Sequence, residues 1–196
     1  MMTARRISAN DILPYKKYAE GRTEFRKRLI PVKKNRRVEV GPFATFYFES
    51  YDTMWLQVQE MLHIEKGGDE QLEGELEAYN PLIPQGHELI ATFMLEIEDA
   101  VQRDKILKTL GGIEETVSMT IDGETVKGAP TEYEDRTTPD GKTSSVHWIR
   151  FRFTDAQIAR FKMGKVVLEI AHPNYGHMAV LPSAVRDELA KDFSPA

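Results

Sequence analysis

The sequence contains no cysteine. Disulfide bonds, thiolate metal sites, iron–sulfur clusters and cysteine nucleophiles are therefore excluded for this chain itself. No apolar stretch approaches the roughly 20 residues that a membrane-spanning helix needs. The first residues, MMTARRISANDIL, carry charge but lack the apolar core of a secretory signal. We therefore expect a protein that does not cross a membrane, with the cytoplasm as its location.

The composition is that of a folded protein. The 196 residues are 41% hydrophobic and 29% charged, which is unlike the balance in disordered chains. A chain of this length is long enough to fill one core. We predict a single domain over residues 1–196, with a basic helical segment at 1–37 and an α+β body at 38–196.

Charge is distributed unevenly along the chain, although the net charge is only -5. Residues 1–37 contain twelve Lys or Arg against three acids, whereas residues 60–99 contain eleven acids against Lys66 alone. Opposed charges of this kind indicate an interaction. The interpretation ranked first is that the basic segment lies across the acidic region of the same chain, or of a second copy in a homodimer. Docking to an acidic protein partner ranks second, with charge steering the encounter.

Nucleic acid ranks last among these partners. Clustered Lys and Arg do bind polyanions without sequence preference, but the body is acidic and no nucleic-acid recognition motif is visible. The candidate partner-binding residues are seven basic side chains of the first segment: Arg26, Lys27, Arg28, Lys33, Lys34, Arg36 and Arg37.

Helices are predicted mainly from apolar spacing and from capping residues. Residues 1–37 predict two short helices, with Pro31 ending or kinking the second. Asp52 or Thr53 can cap a helix that runs to Lys66, and an acidic helix follows at 69–79. Three further helices are predicted to begin at residues with cap chemistry: Asp99, Thr154 and Ser183.

Strands are predicted from alternation and from turn residues. Residues 38–50 predict a strand pair or a bent strand, and residues 89–97 predict a strand with one deeply apolar face. Hairpins are predicted at Asp122-Gly123, at Pro139-Asp140-Gly141 and around Pro173-Asn174. The fold class that follows is α+β: a largely antiparallel sheet built from hairpins, with helices packed on one side and a basic helical N-terminus.

Several segments together resemble a known family. RRVEVGPFATFYFES, DTMWLQVQEMLHIEKG, YNPLIP, ATFMLEIED, VHWIRFRF and HPNYGHMAVLPSAVRDELA occur in this order and resemble an uncharacterised bacterial family, domain of unknown function thirty-five-oh-one. Genes of that family often stand beside those for a rubrerythrin-type di-iron protein and a heterodisulfide-reductase-like iron–sulfur protein. The resemblance implies a redox or peroxide-stress context and a redox protein as partner. Without cysteine, this chain would depend on that partner for thiol or iron–sulfur chemistry.

Three histidines form the candidate metal site. Residues 146–153 and 166–172 each predict a strand, and antiparallel pairing of Phe153 with Val166 would place His147 opposite His172. His177 follows the next tight turn and would fold over the same end. Three imidazoles can hold zinc or iron(II) without a thiolate. The alternative is that these histidines hydrogen-bond to the backbone or lie in solvent.

Glu60 and His63 form an E-x-x-H motif on a predicted helix, a motif that di-iron bundles use twice. Here it occurs once, and the helical wheel places both side chains opposite Met54, Val58 and Leu62. We therefore favour a solvated helix face over a di-iron site. The function predicted from the sequence is that of a non-catalytic accessory or binding protein in a redox context. The alternative is a small metal-binding protein or metal-dependent enzyme that uses the three histidines.

Overall fold

The structure, a computed structural model, describes residues 5–131 and 136–193. Within them one sheet is flanked by helices, and the following labels are used below. The helices are α1 (Tyr15–Lys34), α2 (Tyr51–Glu65), α3 (Gly68–Tyr79), α4 (Ala100–Leu107), α5 (Asp155–Met163) and α6 (Ser183–Leu189). The strands are β1 (Arg37–Val40), β2 (Ala44–Phe48), β3 (Glu88–Leu95), β4 (Val117–Ile121), β5 (Glu124–Pro130), β6 (Val146–Arg152), β7 (Val166–His172) and β8 (Tyr175–Val180).

The strands form one antiparallel sheet in the order β1-β2-β3-β6-β5-β4-β7-β8. Three hairpins, β1–β2, β4–β5 and β7–β8, supply most of it, and β6 is inserted between β3 and β5. The sheet curls until its two end strands, β1 and β8, approach each other, which gives an almost barrel-like shape. The predicted α+β class with a largely antiparallel sheet is confirmed.

The inner face of the curled sheet forms the main core. In β4, β6 and β7 alternate residues point inward and are buried, as strand geometry requires. Phe46 of β2 and Phe93 of β3 are opposite each other in register and their rings stack with centroids 4.6 Å apart. Phe161 of α5 and Leu189 of α6 belong to the same cluster. This cross-strand aromatic contact thus helps to hold β2 and β3 in register.

A second layer covers part of the outer face. Met54 and Val58 of α2 pack on Ile90, which points outward from β3. Tyr18 and Leu29 of α1 pack in turn on Leu56 of α2. The basic helix α1 is therefore attached to the sheet through α2. No helix in the described part of the chain is long and apolar enough to cross a membrane.

Turn and cap residues correctly predicted several of the turns and helix starts in the structure. Asp122 and Gly123 have φ of 47° and 86°, as the predicted tight hairpin turn requires. Asp99 and Thr154 cap α4 and α5 by accepting from the backbone N–H three residues later. At α2 the cap is Ser50 rather than Asp52 or Thr53.

The N-terminal segment differs from its prediction. Instead of two short helices, the structure has a 3-10 turn at Ala9–Asp11 followed by the single 20-residue helix α1. Pro31 neither ends nor splits α1: it lies inside the helix, and three further helical residues follow it. Packing of the helix against α2 outweighs the one backbone hydrogen bond that proline removes.

Candidate docking cleft

A cleft of about 960 Å³ opens between the end of α1, the outer face of β1 to β3 and the end of β8. Its walls are mostly apolar, and Met54, Met94 and Trp148 are among the lining residues. Two exposed apolar side chains, Ile30 of α1 (63% exposed) and Val180 of β8 (53% exposed), also line it. The volume is near the upper end of the range for small-molecule pockets.

The cleft exists because β1 and β8 approach each other without pairing. At one end of this seam the Tyr175 hydroxyl accepts from the N–H groups of Phe43 (2.9 Å) and Ala44 (3.0 Å) and donates to the Val40 carbonyl (2.9 Å). At the other end the seam is open, and residues 37–39 and 179–180 line the cleft. One tyrosine therefore joins the sheet edges at one end, while the other end leaves strand edges beside the cleft.

Arg36 fixes the end of α1 against the sheet. Its guanidinium donates to the carbonyls of Phe48 (2.9 Å) and Glu49 (2.7 Å) and forms ion pairs with Asp192 and with Glu188 (3.6 Å). Only 2% of Arg36 is exposed. Burial raises the pKa of the Asp192 carboxyl, and the charge of Arg36 opposes that rise. Arg36 was predicted to bind a partner, but the structure buries it in an internal ion pair, which leaves its charge unavailable at the surface.

Lys33 and Lys34 lie just before this anchor. Both are exposed, both line the cleft, and neither ammonium has an ion-pair partner within residues 5–131 and 136–193. They are also the last two residues of α1, where the helix dipole favours positive charge. The rim of the cleft therefore carries two uncompensated cations.

Arg37 adds a third cation to the rim, but it is partly neutralised. Its guanidinium pairs with Glu39 at 2.9 Å, approaches Glu96 at 3.7 Å and lies over the Tyr47 ring. Burial alone would raise the pKa of Glu96, yet hydrogen bonds from Thr45 and Tyr47, with the charge of Arg37, hold it below its ordinary value. The charge of Arg37 is thus shared between two carboxylates, of which Glu39 also lines the cleft.

Glu49 is the buried carboxylate of the cleft. It accepts hydrogen bonds from the hydroxyls of Thr53 of α2 (2.6 Å) and Thr92 of β3 (2.7 Å). Each carboxylate oxygen therefore has a donor, and the group joins the helix layer to the sheet. Glu49 was not singled out from the sequence. Its position directly after the inward-pointing Phe48 of β2 and directly before the cap Ser50 was the available signal.

The remaining candidate cations lie further back along α1. Arg26 approaches Glu60 of α2 at 3.7 Å, whereas Lys27 pairs with Glu24 at 3.2 Å. Arg28 lies over the ring of Phe25 on its own helix. These three side chains are exposed but do not line the cleft. Of the seven candidate cations, Lys33 and Lys34 alone line it without an ion-pair partner among the described residues.

The strand pairing on which the histidine site depended is wrong. Two strands, β5 and β4, lie between β6 and β7, so that Phe93 is opposite His147 and Tyr175 is opposite His172. The hairpin β4–β5 forms the middle of the sheet, and the apolar pattern of β6 and β7 could not reveal this. Within the described residues no group of three or more His, Asp or Glu side chains is placed to hold a metal.

Each histidine has different surroundings. His147 is buried and its Nε2 lies 2.9 Å from the Ser144 carbonyl. His172 Nε2 lies 3.3 Å from the Gly111 carbonyl, and its Nδ1 accepts from the Asn174 N–H at 3.2 Å. His177 is exposed and its ring packs on Tyr175. Hydrogen bonds to the backbone were the alternative interpretation for the first two.

A buried pair was not anticipated. Glu114, in the 3-10 turn Ile113–Thr116, places one carboxylate oxygen 3.8 Å from His147 Nδ1, and neither atom has a hydrogen-bond partner among the described residues. Burial lowers the pKa of His147, while the charge of Glu114 opposes the shift. The two residues are 33 positions apart, so local sequence gave no signal of the contact.

The E-x-x-H motif is not on a solvated face. α1 covers it: Arg22 forms a two-bond ion pair with Glu60 at 2.8 Å, and the Tyr18 hydroxyl donates to the same carboxylate at 2.6 Å. The Arg22 guanidinium, more than any other group, lowers the pKa of Glu60 to about 2. Through Tyr18 and Arg22 the basic helix therefore contacts Glu60, the first residue of the acidic region, within the same chain.

These features define an α+β protein with a curled eight-stranded antiparallel sheet and a basic-rimmed cleft. A family model described as "Protein of unknown function (DUF3501)" matches residues 6–193, and the chain belongs to this family. A solved structure from Burkholderia pseudomallei, described as a novel protein of unknown function, is similar over 96% of this chain and 99% of that one, with 35% identity and a TM-score of 0.89. No protein with curated annotation matches.

Proposed function

We propose that this protein is a non-catalytic accessory protein that docks an acidic segment of a partner protein in the cleft beside α1. The carrying observation is the rim: Lys33 and Lys34 are exposed and unpaired within the described residues, and they stand over apolar walls that include Ile30 and Val180. An acidic segment with apolar side chains complements both features.

The strand edges favour an extended partner segment. β1 and β8 are the end strands of the sheet and do not pair with each other. Sheet edges are templates for a further strand, which gains affinity from main-chain hydrogen bonds and specificity from side-chain pockets. The open end of the seam is part of the cleft wall, so an added strand would bring its side chains to the lysine rim.

More specifically, we propose that the partner is a redox protein. It is supported by the family resemblance, which implies genes for a rubrerythrin-type protein and an iron–sulfur protein nearby, and by the absence of cysteine from this chain. An accessory protein of this kind would position or protect its partner, and the electron-transfer chemistry would belong to the partner.

The charge test compares two double substitutions on α1. Lys33→Glu with Lys34→Glu reverses the rim, and Lys16→Glu with Lys17→Glu makes the same change at the far end of the helix, where both lysines are exposed. We expect the first to weaken binding of the purified rubrerythrin-type partner about tenfold or more, and the second to change it less than threefold, because only close charges act strongly across an interface. Biolayer interferometry in 0.05 and 0.15 M salt measures both. Equal effects of the two pairs would refute docking at the rim.

A crosslinking test locates the partner directly. Ile30 and Ile64 have the same exposure, 63%, but only Ile30 lines the cleft. A photoreactive residue at position 30 should crosslink the partner, whereas one at position 64 should not. Crosslinks at position 64 alone would place the interface elsewhere. Melting temperatures of all variants exclude misfolding as the cause of lost binding.

The metal-dependent alternative remains a prediction that no observation of the fold favours. It would require His147, His172 and His177 to coordinate the same metal ion. The strand pairing that would have brought the first two together is absent. Metal content of the purified protein and of His172→Ala tests it. Stoichiometric zinc or iron in the wild type, lost in the variant, would revive the histidine site.

A further inference from the structure

A second cavity, of about 440 Å³, lies on the other side of α2 from the docking cleft. The start of α1, the end of α2 and the start of α3 line it, and it is open to solvent. Its walls are aromatic and apolar: Tyr15, Tyr18, Leu62 and Leu72 line it. The ring of His63 stacks on Tyr15, with centroids 5.1 Å apart.

Two residues that line this cavity each have a buried polar atom without a hydrogen-bond partner within the described residues: Gln59 Nε2 and His63 Nδ1. Gln59 is only 2% exposed. The two residues are one turn apart on α2 and both line the cavity. Burying an unpaired amide N–H costs about 1–3 kcal/mol, so such groups ordinarily have a partner. In this cavity the partner of the amide must be a hydrogen-bond acceptor.

The start of α3 and Lys66 bring further hydrogen-bond donors to the cavity. α3, a 12-residue helix, begins at its edge, with Gly68 and Asp69 among the lining residues. The Gln71 side chain accepts from the N–H of the N-cap Gly67, and Asp69 and Glu70 lie in the first turn. The first N–H groups of a helix have no intrahelical acceptor and attract anions. Lys66 also lines the cavity, with its ammonium over the ring of Tyr15. Asp69 is the one carboxylate among the lining residues, and it is exposed.

We propose that this cavity binds a small organic carboxylate, with its apolar body among Tyr15, Tyr18 and Leu72. The carboxylate would accept from the Gln59 amide and from His63 in its Nδ1–H form, beside the start of α3 and Lys66. Inorganic anions fit the donors but leave the apolar walls without contacts. The site is separate from the docking cleft and does not depend on it.

The test uses phenylacetate and hexanoate as probes, phenylacetamide as a neutral analogue, and inorganic phosphate. Ligand-observed NMR should show saturable binding of a carboxylate, with a dissociation constant on the order of 1 mM or tighter. In spectra of the ¹⁵N-labelled protein, the side-chain resonances of Gln59 and His63 should move on binding. The amide and phosphate should bind at least tenfold more weakly. Absence of saturable binding by 10 mM would overturn the proposal, because water alone would then fill the cavity. Phosphate binding as tight as that of phenylacetate would overturn the class of ligand.

Substitutions assign the binding to this cavity. Gln59→Leu should weaken carboxylate binding about tenfold, and Lys66→Gln, at an exposed position where folding is not at risk, about threefold or more. Gln57→Leu is the matched control, since Gln57 is on the same helix but lines the docking cleft and donates to the Tyr79 hydroxyl at 3.3 Å. Unchanged affinity in both Gln59→Leu and Lys66→Gln would place the ligand elsewhere and overturn the proposal.

Discussion

Neighbouring basic residues have opposite roles at the end of α1. Arg36 is buried and fully engaged, whereas Arg37 is exposed on the outer face and Lys33 and Lys34 are free of ion-pair partners in the described chain. The sequence placed all four in one docking surface. Strand alternation could have separated two of them, because Arg36 precedes Val38 and Val40 at intervals of two and those residues point inward.

Replacing Arg36 should destabilise the protein strongly. Arg36→Met leaves the buried Asp192 carboxylate and two carbonyls without their donor, and we expect a loss of about 3–5 kcal/mol in the free energy of unfolding. Urea unfolding at pH 7 measures it. Arg37→Met, at a side chain 44% exposed, is the control and should cost less than about 1 kcal/mol. A cost below 1 kcal/mol for Arg36→Met would contradict an anchoring role.

At the scale of elements, two contacts determine how the helix layer and the sheet edges are held. Tyr18, Arg22 and Glu60 connect α1 to α2. Tyr175 connects β8 to the β1–β2 turn. Most of the helices and hairpins were predictable from caps, turns and periodicity, whereas the single long helix α1 was not. Which of them touch was not, because the sequence pattern shows that a face is apolar but not which element covers it.

The Glu60 contact predicts a pH dependence of stability. The pKa of Glu60 is lowered to about 2 in the folded protein from an ordinary value of 4.5, so the unfolded state binds the proton first as pH falls. Its contribution is complete above about pH 4.5 and is lost as pH falls through about 2. Glu60→Gln should therefore cost about 1–2 kcal/mol at pH 7 and much less at pH 2.5.

Urea unfolding of both proteins across this pH range measures the effect. Glu24→Gln is the control, because Glu24 is 78% exposed and pairs only with Lys27 on its own helix. A difference between wild type and Glu60→Gln that does not change with pH would contradict the assignment.

Loss of the Tyr175 hydroxyl should open the structure locally where β8 meets the β1–β2 turn. Tyr175→Phe removes the acceptor for two backbone N–H groups and the donor to the Val40 carbonyl, and we expect a loss of about 2–3 kcal/mol. Hydrogen exchange should accelerate at the amides of Phe43 and Ala44 and change little in β3 and β6. Tyr47→Phe, which removes a hydroxyl that bonds Glu96 and does not contact this seam, should leave the Phe43 and Ala44 amides protected. Equal acceleration throughout the sheet would indicate a global effect instead.

At the scale of the whole molecule, we propose that residues 1–37 and 38–196 unfold together, as the single domain predicted from the sequence. α1 contributes Tyr18 and Leu29 to a buried cluster with Leu56 of α2, and Arg36 extends the attachment to the sheet. Calorimetry should give one transition, coincident with loss of far-ultraviolet circular dichroism. If the α1 amides exchange through an opening of much lower free energy than the β3 amides do, α1 is a separate unit.

The sequence by itself determined the elements, the antiparallel hairpin sheet and the basic character of α1, because turn chemistry, caps and apolar periodicity act over a few residues. Only the tertiary structure decided that β4 and β5 separate β6 from β7, that Arg36 is buried while Lys33 and Lys34 remain at a cleft, and that Gln59 and His63 share a cavity. These depend on contacts between residues far apart in the chain, where many pairings bury similar apolar area and the local pattern does not distinguish them.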